Sequence, residues 1–164
     1  MERKPESHDL LVALLLVQSF MERRSEAFFQ PHGLTAAQFN ILNLLSDGKM
    51  DQAALVELLL VGKSSISIVL NRMVRDDLVK REEHPKDRRQ VVLVLTTKGR
   101  SLWRKISPKY KAGVEKIFGV LPHSRRQPFL NDLKTLHDAF LTEGGITELG
   151  NRWHSLFPGM KGIS

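Results

Sequence analysis

Between Lys63 and Leu95 the spacing of apolar residues changes from that of a helix to that of a strand, with a charged turn in between. Ile66, Val69, Leu70 and Met73 fall at i, i+3, i+4 and i+7, which lines one face of a helix over residues 63–75. Ser64, Ile68, Asn71 and Arg75 then share the opposite face, and Ser64 or Ser65 is placed to cap the first turn. Asp77 stands just past the last turn, where Gly or Asn is the commoner choice for a left-handed residue. The chain must change direction there. A strand is expected over residues 78–83, followed by the turn His84-Pro85-Lys86-Asp87-Arg88-Arg89, with Pro85 and Asp87 as turn formers. Val91 to Leu95 is an unbroken apolar run of Val and Leu and reads as the returning strand.

Charge singles out the same stretch. Residues 61–105 hold twelve Lys or Arg against five Asp or Glu, an excess of seven, and the whole chain carries a formal +7. The remainder of the chain is therefore neutral. An excess gathered into one segment is the footprint of a polyanionic partner, although a solvated charged face is the plainer alternative.

The flanking residues supply helices. A first helix is expected over residues 7–30, with Ser7 or Asp9 as cap and Pro31 and Gly33 as its stop. Leu10, Leu11, Leu14, Leu15, Val17, Phe20 and Met21 wrap more than half of its circumference, so it needs two apolar partners. It is either the central helix of a monomer or a dimer helix, and the apolar seam at the other end of the chain favours the dimer. Thr35-Ala36-Ala37-Gln38 has the T-x-x-Q form of a capping box, opening a second helix over 35–46 with Phe39, Leu42 and Leu45 inward. Asp51 is the expected cap of a third helix that carries Ala54, Leu55, Leu58 and Leu59 and ends near Gly62. Two helices, a basic helix and a hairpin make a winged helix-turn-helix. Thr96 then caps a long helix with Leu102, Trp103, Ile106, Tyr110, Val114, Ile117 and Phe118 inward, kinked at Pro108 and ended at Leu121-Pro122. A last helix opens near Ser124, bears the seam Phe129, Leu133, Leu136, Phe140, and stops at Gly144-Gly145. The tail 143–164 has no period.

The fold class is thus mainly α with a small β-hairpin wing, in one domain: a reading lobe over 34–100, dimerisation helices over 7–32 and 100–142, and the tail. With no cysteine there is no disulfide, thiolate metal site or thiol sensor in this sequence. The apolar run Leu10 to Val17 imitates a signal sequence but follows acidic residues, has no small-residue cleavage site, and is far short of a bilayer span. A cytoplasmic protein with no membrane partner is expected. The six histidines form no metal motif, and no nucleophile elbow, phosphate loop or carboxylate pair suggests an enzyme, a metal or a cofactor.

Several local motifs occur in a fixed order: Gly33-Leu34-Thr35 with Gln38, then Asn71-Arg72-Met73, then Leu78-Val79-Lys80-Arg81. Asp87-Arg88-Arg89 and Leu95-Thr96-Thr97-Lys98-Gly99 follow. Together they resemble the MarR (multiple antibiotic resistance regulator) family of bacterial transcription regulators over residues 8–142, the last two being similar to its D-x-R and L-T-x-x-G wing signature. The resemblance implies a homodimer joined through its terminal helices, with the basic helix in the DNA major groove and the wing in the minor groove. It also implies a small aromatic or phenolic ligand in the cleft beside the first helix, for which Phe20, Arg23, Arg24, Phe28 and His32 are the candidates. The sequence departs from the family's usual Asp at Asn71, Gly at Asp77 and Arg or Lys at Ile68. The first departure loosens an internal ion pair, the second adds strain, and the third leaves thymine methyl contact as the option for Ile68.

The expected function is a sequence-specific, double-stranded-DNA-binding transcriptional repressor responsive to a small molecule. A protein-interaction module that binds acidic partners is the alternative. The DNA-contacting candidates are Lys63, Ser64, Ser65, Ser67, Ile68, Asn71, Arg72 and Arg75 on the helix, and Lys86, Asp87, Arg88 and Arg89 on the wing. Arg75, Lys80, Arg88 and Lys98, with His84, are candidates for neutralising phosphates. A two-fold dimer calls for an imperfectly palindromic site.

Overall fold

A computed structural model describes residues 4–59, 63–83 and 91–144. The wing tip, Lys86 to Arg89 with His84, and the tail with Trp153, Leu156 and Phe157 lie outside the described residues, as do the side chains of Lys63, Ser64 and Ser65. In order, the elements are α1 (Ser7–Phe29), a 3-10 turn (Gln30–His32), α2 (Ala36–Leu44), a second 3-10 turn (Leu45–Asp47) and β1 (Met50–Asp51). There follow α3 (Gln52–Leu58), α4 (Lys63–Arg75), β2 (Val79–Glu83), β3 (Val91–Leu95), α5 (Thr97–Phe118) and α6 (His123–Gly144).

Local chemistry explains most of these boundaries. The capping box at α2 closes in both directions: Thr35 Oγ1 accepts from the Gln38 backbone N–H at 3.2 Å, and Gln38 Oε1 accepts from the Thr35 N–H at 2.8 Å. Gly33 adopts φ 67° after Pro31, which ends the first helical run. At the end of α4, the Leu78 N–H reaches the Met73 carbonyl at 2.9 Å and the Asp77 N–H reaches that of Val74 at 3.1 Å. This is the Schellman arrangement, and Asp77 holds its left-handed position at φ 56°.

Several boundaries differ from those expected. The cap of α1 is Glu6 rather than Ser7 or Asp9; Asp9 instead reaches back, its Oδ2 accepting from the Glu6 N–H at 2.7 Å. Ser64 and Ser65 lie inside the first turn of α4 rather than ahead of it. α3 ends at Leu58, before Gly62, because Leu59 turns extended and buries its side chain in the core. Asp51 is the N-cap residue of α3 as expected, but its side chain accepts no capping hydrogen bond, and its Oδ1 is buried with no partner among the described residues. α5 ends at Phe118 rather than Leu121, and α6 begins at His123 and contains Pro128.

The sheet has three antiparallel strands in the order β1-β3-β2. Its hairpin runs in register from Val79 opposite Leu95 to Glu83 opposite Val91, while Met50 pairs with Leu93 on the other edge. The core lies between this sheet, α2, α3, α4 and the first half of α5, with Phe39, Leu42, Leu45, Leu55, Leu70, Met73, Leu93 and Ile106 fully buried. Each such side chain contributes about 1.5–3 kcal/mol on leaving water. The C-terminal end of α1 joins through Phe29, which stacks on Phe39 at 4.7 Å and tilts against Tyr110 of α5 at 5.4 Å.

The rest of α1 has no such cover. Leu10 to Val17, Phe20 and Met21 stand in solvent, with Leu15 55% and Phe20 62% exposed, and so do Ile117, Phe118, Phe129, Leu136 and Phe140 of α5 and α6. No described helix is long and apolar enough to cross a membrane.

Candidate nucleic-acid interface

α4 buries the stripe expected of it: Ile66, Leu70 and Met73 are sealed and Val69 is half-buried against the core. The helix is held as a unit because its C-terminal end is clamped by the segment that opens α5. Thr96 Oγ1 donates to the Asp77 carbonyl at 2.6 Å, the Thr96 N–H donates to that of Leu78 at 3.2 Å, and Lys98 Nζ reaches that of Asp76 at 2.8 Å. Thr96 also caps α5, its Oγ1 accepting from the Gly99 N–H at 3.0 Å. Gly99 is required by contact: a Cβ there would stand 2.0 Å from the Leu78 carbonyl oxygen. The Leu95-Thr96-Thr97-Lys98-Gly99 motif is therefore a brace for α4.

What α4 presents outward is Ile68, Asn71 and Arg75, all exposed. Ile68 is 71% exposed, about opposite the buried stripe. Asn71 is already engaged, since its Oδ1 accepts from Arg81 of β2 at 2.8 Å, and Arg81 also reaches Gln52 Oε1 of α3 at 3.5 Å. Arg81 joins α4, β2 and α3, although it is not among the residues the sequence singles out for the site. Its only signal was an outward position on a strand; the partner ten residues away is visible once the strand folds back. Arg72 lies on the flank of α4, 3.7 Å from Asp76 Oδ2, beside an open cleft that Gln18, Glu22 and Glu26 of α1 also line. Arg75 has no ion-pair partner among the described residues and Ser67 is exposed beside it.

The basic window divides into two groups. Lys80 pairs with Glu82 at 2.8 Å, and this hydrogen bond holds the Glu82 carboxyl below its ordinary pKa, with Lys49 a further 3.8 Å contact. Lys98 is committed to the α4 brace, and Arg100 donates to the Ser46 carbonyl at 3.2 Å. Lys80 and Lys98 thus have internal partners in addition to the phosphate role expected of them. Arg75 remains the unengaged described cation of the α4 face.

The five ligand candidates do not converge on one point. Arg24 and Phe28 line a cavity of about 100 Å³ between α1 and α5, with Met21, Tyr110 and Val114 among its other walls. Phe20 and Arg23 lie in an adjoining shallow groove that shares Arg24 with it. His32 packs edge-on against Phe28 at 5.7 Å and lines neither.

Comparison with known proteins bears on the whole of this arrangement. The MarR family model matches residues 32–90, from the 3-10 turn after α1 up to the residue before β3. The HTH-type transcriptional repressor YetL of Bacillus subtilis is 28% identical over 137 residues, covering 82% of this chain and 80% of the relative. AbsC, a MarR family transcriptional regulator from Streptomyces coelicolor, superposes with a TM-score of 0.76 at 27% identity over 86% of this chain and 99% of its own. A mutant MarR from E. coli, solved in complex with operator DNA, has the same fold at a TM-score of 0.69 and 22% identity, over 77% of this chain and 92% of its own. A winged helix-turn-helix with these motifs in this order is similar over most of its length to transcriptional regulators of the MarR family, and residues 32–90 match that family's model.

Proposed function

We propose that the protein is a dimeric repressor that binds a specific double-stranded DNA site, with α4 in the major groove and the hairpin of β2 and β3 over the neighbouring minor groove. One observation carries the reading: the chain's charge excess is gathered into the stretch 61–105, which comprises α4, the hairpin beside it and the first turns of α5, and α4 is braced from behind with Ile68 and Arg75 exposed. An α-helix fits the major groove of B-form DNA, and basic side chains around it displace phosphate counterions. The repressor designation of YetL supports repression over activation.

The dimer rests on the uncovered apolar faces of α1, α5 and α6, an expanse that a monomer would leave in water. Pairing through them sets two copies of α4 on one face of the DNA, one or more turns apart, so the site is an imperfect palindrome. The cavity at Arg24 and Phe28 offers an apolar wall and a cation, suited to a small aromatic acid that would control DNA binding. Regulation is the activity in this reading, with no chemical step.

Selection of bound duplexes from a random pool by the purified protein tests it. The expected result is a palindromic consensus whose log affinity falls steeply and linearly with log salt. Binding without preference among duplexes would overturn the proposal.

A further inference from the structure

Most of the large apolar side chains left in solvent belong to α1, α5 and α6 or to the loop between the last two, where a dimer would cover them. Ile68 is different. With Val91 it is one of two exposed large apolar residues described in the reading lobe, and at 71% it is much the more exposed of the two. It sits on the side of α4 away from the core, on the face it shares with Asn71 and Arg75. The dimer surfaces lie on other helices and cannot reach it by the same contact.

We propose that Ile68 is a specificity-determining residue that packs on the C5-methyl group of a thymine in the major groove, an inference that rests on the DNA-binding reading above. The major groove presents polar edges at every base pair, and the thymine methyl is its apolar feature. An isoleucine has no donor or acceptor, so against a cytosine or a purine edge it would strip water from polar groups and return nothing. The neighbours strengthen the assignment. Asn71 has its carbonyl oxygen occupied by Arg81, and Arg72 lies on the flank toward Asp76. Ile68 is thus left at the centre of the described face, with Arg75 about two turns beyond it for phosphate.

The experiment uses the full chain and the duplex it prefers from a random pool, with each thymine replaced in turn by deoxyuridine, which lacks only the methyl. Wild-type protein should lose about fourfold in affinity at one thymine per half-site, the value of one buried methyl. Ile68→Ala, an exposed change to a better helix former, should fold normally and be insensitive at that same thymine. A flat deoxyuridine scan, or equal sensitivity in wild type and Ile68→Ala, would overturn this assignment while leaving DNA binding intact. A pool that yields no preferred duplex overturns the regulator reading and the assignment together.

Discussion

Arg81 on β2 donates from Nη2 to Asn71 Oδ1 on α4 at 2.8 Å, so the wing strand and α4 are tied through a neutral acceptor. The same guanidinium touches Gln52, and the contact therefore fixes three elements of the lobe at one point. Both side chains are exposed, which limits what the tie is worth to stability and leaves its effect to positioning.

Arg81→Ala and Asn71→Ala should each cost no more than about 1 kcal/mol in urea unfolding, and the double variant should cost less than their sum. Both should reduce discrimination between the preferred duplex and random DNA, since losing Arg81 frees the Asn71 amide to rotate. Fluorescence anisotropy on the two duplexes reads this. If Arg81→Ala weakens both equally, Arg81 is a phosphate contact and the positioning role is wrong.

Arg89 lies outside the described residues, at the expected tip of the wing, and its prediction comes from the D-x-R motif. Arg89→Ala should weaken binding to the preferred duplex by about 1–3 kcal/mol with no fall in melting temperature. Affinity unchanged at moderate salt would remove Arg89 from the interface.

Gly99→Ala places a methyl group where the Leu78 carbonyl already stands, and neither backbone can yield without moving α5 off the end of α4. A loss of about 3 kcal/mol in stability is expected, at the upper end of overpacking costs, accompanied by weaker DNA binding. Thermal unfolding at wild-type temperature would show that the brace is not tight.

The uncovered apolar surface gives a test of assembly that does not depend on DNA. Leu15→Glu changes a residue already in solvent within the protomer, so the protomer should keep its helicity. If α1 lies in the interface, two carboxylates are buried there without partners, and sedimentation at micromolar concentration should shift from dimer to monomer. Removal of residues 122–164 should go further, giving insoluble protein or monomers with weak, sequence-independent binding. A well-folded monomer of the full chain that binds one asymmetric half-site would sink the dimer.

The elements legible from sequence were those whose causes are local. The Thr35–Gln38 box, the α4 stripe of Ile66, Val69, Leu70 and Met73, the left-handed Asp77 and the Thr96 cap depend on neighbours within about one helical turn, and spacing alone displays them. β1 was invisible because its two residues have no period of their own and become a strand through pairing with Leu93 and Val92 of β3. The site split the same way. That α4 would carry a basic, partly apolar outer face followed from composition and spacing, but which residues of that face stay available was decided by contacts across the fold. Arg81 of β2 occupies Asn71 of α4 and Lys98 of α5 reaches the Asp76 carbonyl, each from a different element, while Lys80 is taken within β2 by Glu82, and Ile68 is left outward. Periodicity gives the direction of a side chain from its own helix; only tertiary structure brings up the second element that binds it or leaves it free.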